Sequence, residues 1–558
     1  MTREHLYDAI TNVKDALVDE AANPRIPVVK KRANWLKWGS IAAAVVLVLG
    51  AGGWWALSHI RFGSSAAGGG GHEDGSTVFM SYAGPVFPLT ALEGGEGVTA
   101  ERRLTYDFSP WIKTWWSNED EAASRTELTE AQRQEVLKDY NEWYPEGGRW
   151  QSSTDLLVTD AYTLQNPTEE DKTVKLLYPF VSSLRDLADN TPALTVDGAA
   201  SETTLHAGGY SGGFEAPGGS DDTGLLLNLA QLNSWDQYKA LLSDGRYLDA
   251  ALGDFPDLSG LPVIAYKFTD AYGPERDSGA GIPNPSIWAN FDLDYDKTLV
   301  LSYGFNGGRF DQENGKMMRN FSIEQPGWRG YGVPNFLFVL GEDIQNLTTG
   351  GYVTGGTDPD TETLNDGDWG VNVERYETDL ESALREIAEL MYSIDNWFED
   401  GDGTIRRPDF DLYFGLMKEF LCSYGPLSAD SPARYGTGML EELDFLNVDR
   451  VFYLEAEVTI PAGGSVTLTA EMTKEASYDY YCAHTENQDI YGYDMVTKLG
   501  SSLDFTSQTA RTVNTDGLEI VRQNYGFDWA GGVNEVELDQ SVEHYYLEVR
   551  EAASKNQE

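Results

Sequence analysis

Gly209-Tyr210-Ser211-Gly212-Gly213 has the G-x-S-x-G spacing of a nucleophile turn. In hydrolases the glycines relieve crowding, so that a serine can sit on a sharp strand-to-helix turn with a later histidine as its base. His484 and His544 lie downstream. The residues that follow, FEAPGGSDD, lack the pattern of the helix such a turn must enter, and 58 glycines make chance matches expected. Ser211 is the only nucleophile that can be named, and its simpler reading is a Gly-rich loop. Carboxylate pairs for glycoside hydrolysis cannot be singled out among 90 acidic residues. The six histidines are scattered and no HExxH occurs, so a zinc hydrolase is not supported.

A second candidate is Asp400-Gly401-Asp402-Gly403-Thr404-Ile405 followed by Asp409, which resembles a calcium loop of the EF-hand or dockerin type. Gly403 would make the sharp turn, and Asp400, Asp402 and Asp409 would supply oxygen ligands, the hard donors that calcium takes. Phe398 stands at the first loop position, where it cannot ligate. The competing reading is a polar turn that caps the next helix. Calcium is the only cofactor that any motif suggests. Asp358, Asp360, Asp366 and Asp368 form a looser acidic loop. Trp111, Trp115 and Trp116 are clustered and suit either sugar stacking or core packing. Cys422 and Cys482 suit either a disulfide outside the cell or two buried thiols.

The formal charge of −50 repels nucleic acid and anionic lipid, which excludes a nucleic-acid partner. Gly39 to Leu57 is a run of 19 residues without a charge. As a helix it spans about 28 Å, close to the hydrocarbon thickness of a bilayer. Trp35, Trp38, Trp54 and Trp55 stand at its two ends, where indole rings favour the interface. Arg25, Lys30, Lys31, Arg32 and Lys37 precede it, whereas only Arg61 follows closely. The positive-inside rule then puts the N-terminus in the cytoplasm and the rest outside. Residues 1–37 hold seven Lys/Arg against five Asp/Glu, a charge of +2 that leaves −52 for the remainder.

These features predict an α+β, β-dominated chain: one N-terminal transmembrane helix, then a sandwich-like β-rich ectodomain with a late helical subdomain. The expected parts are a cytoplasmic amphipathic segment (1–37), the transmembrane helix (38–58) and a Gly/Ser-rich linker (59–77). A first β-rich part (78–345), an acidic loop with helices (346–447) and a second β-rich part (448–552) follow. Leu6, Ile10, Val13 and Leu17 line one face of the N-terminal segment. Ser153 to Phe180 reads as two strands around the turn Asn166–Asp171, in the manner of a hairpin. Val451–Ile460 and Ser465–Lys474 flank Pro461-Ala462-Gly463-Gly464, a second hairpin-type connection. Leu518–Gln523 and Val542–Val549 read as closing strands. Thr129 with Gln132, and Thr378 with Glu381, have capping-box spacing before helices, and further helices are expected over Asp409–Cys422 and Met439–Leu446.

LYDAITNVKDALVDEAA at 6–22, KKRANWLKWG at 30–39 and the apolar run together resemble the N-termini of single-pass membrane proteins of low-GC Gram-positive bacteria. Some of these are similar to anti-sigma factors, in which a cytoplasmic segment holds a sigma factor and an outer domain senses. The zinc-binding His/Cys cluster of the zinc type is absent from this N-terminus. The expected function is therefore non-enzymatic binding of a protein or glycan ligand outside the cell, or an envelope role. A transmembrane regulator of the anti-sigma type and an extracytoplasmic hydrolase acting on cell-wall glycan or peptide are the alternatives.

Overall fold

The computed structural model describes residues 83–111, 113–125, 130–210, 239, 245–276, 284–324, 332–352, 368–394, 407–428, 440–480 and 487–552. The cytoplasmic segment, the apolar run and the linker lie outside these residues. Among the described residues no helix is long and apolar enough to cross a membrane. The described chain is β-dominated and builds several sheets. It divides into two compact units, one formed by Asp254–Asn447 and the other by the chain before and after it.

In the Asp254–Asn447 unit two antiparallel sheets share a core. One has the strand order 298–303, 335–341, 262–272, 370–379, and the other 307–311, 316–322, 286–292, 345–352. Tyr266, Phe268, Val300, Leu337 and Val339 of the first sheet cluster with Ile287, Ala289, Phe291, Met317 and Phe321 of the second. Strand Asn335–Gly341 is buried at consecutive positions from Phe336 to Leu340, so it needs cover on both faces. Helix Leu380–Ile394 contributes to that cover, burying Leu380, Leu384, Ile387 and Met391, the face its spacing predicts. Lys267, paired in register with Phe336, lies 5.1 Å from that ring and 3.1 Å from Glu386 of the helix.

The start of this helix differs from the expected capping box. Thr378 is the last-but-one residue of strand Gly370–Asp379 and pairs with Val263. The cap is Asp379, which accepts from the Ser382 amide at 2.9 Å and from its hydroxyl at 2.7 Å. Glu381 turns instead to Lys418 on helix Phe410–Ser423, at 2.6 Å. The helix expected over Met439–Leu446 is two short 3-10 turns, Leu440–Glu442 and Asp444–Leu446. Buried Leu440, Leu443 and Leu446 recur every third residue, the period of a 3-10 turn rather than of an α-helix.

The other unit corrects both expected hairpins. Strands Leu156–Gln165 and Lys172–Ser182 form where the sequence places them, as do Arg450–Ile460 and Ser465–Lys474, yet neither pair is joined ladder to ladder. Leu156–Gln165 pairs with Ser465–Lys474 in a seven-stranded sheet, while Lys172–Ser182 pairs with Arg450–Ile460 in a four-stranded one. Each connection is thus an arch from one sheet to another. The reason lies in burial. Lys172–Ser182 is buried at every position from Leu176 to Phe180, so both its faces need cover, and Leu156–Gln165 in the other sheet supplies part of it through Asp160 and Tyr162 against Tyr178. The two arches hold each other through Asn166, only 1 % exposed. Its Nδ2 donates to the carbonyls of Ile460 and Pro461 at 3.2 Å each and to Glu170 O at 2.8 Å. The Asn166 amide donates to Gly464 O at 3.0 Å, and the Gly463 amide to Thr168 O at 2.8 Å.

At the centre of this unit Arg102 and Asp160 form a fully buried bidentate pair, with Nε–Oδ1 and Nη2–Oδ2 both 2.8 Å. They lie on adjacent strands, Thr99–Asp107 and Leu156–Gln165. Tyr162 donates to Asp160 Oδ2 at 2.7 Å, and Tyr178 of the four-stranded sheet at 3.2 Å. Arg102 Nη1 donates to Val496 O at 2.7 Å, in the sheet 478–479, 491–496, 544–551, 518–523. Burial works against the guanidinium charge, but Asp160 outweighs it and holds Arg102 above its ordinary pKa. Removing one partner strands the other as an unpaired buried charge. Arg102→Met should therefore cost about 3–5 kcal/mol in denaturant unfolding. Arg102→Met with Asp160→Leu should recover part of that loss, and additive losses in the double variant would contradict the coupling.

Candidate functional site

Among the described residues, strand Leu518–Gln523 ends its sheet and pairs with His544–Glu551 on one side only. The pairing is locked by charge across the strands. Arg550 Nε lies 2.6 Å from Glu519 Oε1, and Arg522 bonds Glu548, whose side chain is 6 % exposed. Tyr478 donates to the same Glu548 at 3.2 Å, and Arg522 Nη1 to Asn487 Oδ1 at 2.8 Å. Partial burial works against the Arg522 cation, but Glu548 outweighs it and raises its pKa. The register shifts between Ile520 and Arg522, so Val521 is a bulge residue, and it packs on the cluster of Tyr478, Tyr480 and Ile490.

The chain then folds back on itself. Gln523 Oε1 accepts from the amides of Gly526 (3.0 Å) and Phe527 (2.9 Å), and its Nε2 donates to Phe527 O at 2.6 Å. Gly526 has φ +94° and Gly532 φ +80°, left-handed conformations that suit glycine. Asp528 and Val533 close a bridge around Gly532, and Asp528 Oδ1 accepts from Gly531 N at 2.9 Å. Trp529 is anchored by Nε1 donating to Thr512 Oγ1 at 2.8 Å and by an edge-on contact with Phe108 at 5.6 Å.

Between the strand and this turn lies a groove of about 690 Å³. It is lined by all six residues of the strand and by Phe527, Asp528, Trp529, Ala530 and Tyr546. Successive side chains of a strand point to opposite faces, so a cavity that touches six in a row runs along the strand's edge. Its surface combines apolar patches (Leu518, Ile520, Phe527), aromatic rings (Trp529, Tyr546) and charged groups (Glu519, Arg522, Asp528). That mixture suits recognition of a ligand with both apolar and polar groups.

Of the residues singled out in the sequence, those that the structure describes do not line this groove. Ser211, Asp400 and Asp402 lie outside the described residues, as do His484, Cys482 and most of the second acidic loop. Asp409 is the N-cap of helix Phe410–Ser423, its Oδ1 accepting from Asp411 N at 2.9 Å and Leu412 N at 3.2 Å. Cys422 is a buried free thiol. His544 Nε2 lies 2.7 Å from Asp494. Trp111 packs edge-on to Tyr491 at 5.4 Å, Trp116 donates to Glu121 at 3.2 Å, and Trp115 is partly exposed. No groove-forming residue was named as a site in the sequence. Its one visible signal is the cluster YGFDWAGG at 525–532, dense in aromatics and glycine, shortly after a segment that the sequence reads as a closing strand.

No model of a known protein family matches the chain, and neither does any curated protein sequence.

One further electrostatic feature of this unit has a pH consequence. Burial pushes the Asp449 carboxyl up to about 7, with Glu475 and Asp186 adding to the rise and Lys474 opposing it. Burial likewise holds Lys474 below its ordinary value. The folded state therefore binds the Asp449 proton more tightly than the unfolded chain does, whose carboxyl titrates near 3.8. The stability Asp449 contributes is full below that value and is lost as pH rises through about 7. Melting curves between pH 4.5 and 8 should show this fall in the wild type and a flatter profile in Asp449→Asn. Equal profiles would contradict the assignment.

Proposed function

We propose that the protein is a single-pass, membrane-anchored extracytoplasmic protein. Its sandwich-like β-rich part binds a protein or glycan ligand, with recognition rather than catalysis as its role. The anchor is the uncharged run 39–57, with its basic flank inside the cell and the remainder, at −52, outside. The observation that carries the binding role is the groove of about 690 Å³ along Leu518–Gln523. Its walls are held in place by the Glu519–Arg550 and Arg522–Glu548 pairs and by the Gln523 clamp rather than by loose side chains. Of the carboxylates in the lining, Glu519 is paired with Arg550 and Asp528 accepts from the Gly531 amide. Hydrogen bonds and apolar contact are what these walls offer.

The topology is tested with a membrane-impermeant maleimide on spheroplasts that express Ala530→Cys or Thr2→Cys. Ala530→Cys should label in intact spheroplasts above the wild-type background. Thr2→Cys should label only after lysis. The reverse pattern would refute the orientation, and labelling of neither before lysis would refute the extracytoplasmic location.

A further inference from the structure

We propose that the groove takes an extended, basic polypeptide segment, which adds to Leu518–Gln523 as a further strand. This rests on the ligand-binding reading above and names the class of ligand. Three observations carry it. The strand is terminal in its sheet, and among the described residues its outer edge pairs with no other strand. Such an edge presents main-chain N–H and C=O groups at the two-residue repeat of a strand, about 6.6 Å, and the ligand that matches this spacing is another extended chain. The groove follows that edge for the whole length of the strand, so an incoming backbone has room beside it. The strand also carries neither Lys nor Pro, two of the devices that blunt free edges, and its single bulge at Val521 turns that side chain inward onto a core cluster.

Side chains on the opposite wall set the preference. Arg522 is neutralised by Glu548, and Glu519 is neutralised by Arg550. Asp528 is exposed, its carboxylate accepts from the Gly531 amide, and among the described residues no ion pair neutralises it, so its negative charge lines the groove. An added strand that places a Lys or Arg there gains a charge-assisted contact, and the overall charge of −50 favours the approach of such a segment. Apolar side chains on the other face of the added strand meet Ile520, Phe527 and Trp529.

The test uses full-length protein in detergent and fluorescein-labelled hexapeptides, read by anisotropy. A peptide alternating valine with lysine should bind saturably. N-methylation of its alternate amides along one edge should weaken it at least tenfold, because the ladder donors are removed while the side chains remain. A valine–glutamate peptide should also bind at least tenfold more weakly. Ala530→Trp fills the groove at an exposed position and should reduce binding of the valine–lysine peptide tenfold or more. Asp528→Asn should weaken that peptide and leave a valine–threonine peptide unchanged. Absence of saturable binding at millimolar peptide, or undiminished binding of the N-methylated peptide, would overturn strand addition. These outcomes are separable from the topology experiment. Peptide binding is measured on purified protein, so a failed orientation leaves it intact. Correct labelling of Ala530→Cys without peptide binding removes this inference alone.

Discussion

The Arg102–Asp160 pair is the interaction on which one of the two units depends. Both side chains are sealed from water, so each charge is tolerable only because the other is in place. The remaining valences of the pair reach three sheets. Tyr162 and Asp160 belong to the seven-stranded sheet, Tyr178 to the four-stranded sheet around Arg450–Ile460, and the Val496 carbonyl to the sheet that ends in the groove-forming strand. A purely apolar core would tolerate small slips of these sheets over one another. Hydrogen bonds at 2.7–3.2 Å hold only in one arrangement, so the pair ties the registry of these layers together.

The two sheet-to-sheet arches complement this central clamp at the periphery. Asn166 satisfies three carbonyls at the point where both chains turn, and in doing so it ties Ile460 and Pro461 to residues almost 300 positions earlier in the chain. Contacts of this sequence separation carry a large loop-closure cost, which the shared burial of the four strands must offset. In the Asp254–Asn447 unit the equivalent problem is solved differently. Two sheets face one core, and an amphipathic helix lies on the outer face of one of them.

The groove follows from where the ladder of its sheet stops. Leu518–Gln523 is held on one side by two cross-strand ion pairs and left open on the other, while Gln523 bends the following chain into a facing wall. Rigid supports for both walls leave the edge accessible and preorganised, which lowers the ordering cost of binding.

Local pattern alone determined much of this protein. The strands around 166–171, the strands Ser465–Lys474 and Leu518–Gln523, and the helix with Leu380, Leu384, Ile387 and Met391 at i, i+4, i+7 and i+11 form close to where the sequence places them, because local pattern is a property of the segment itself. The uncharged run and its flanking charges likewise rest on the sequence without help from the fold. Tertiary structure decided which strands pair. The connections at 166–171 and 461–464 look like hairpins locally, but the strands pair across the two connections, a choice among neighbours distant in the chain that no local pattern encodes. It also decided where the candidate site lies. Arg102 and Asp160 are two charges among many until the fold buries them together. The edge at Leu518–Gln523 exists because, among the described residues, no further strand adds to its sheet, a fact about neighbours distant in the chain.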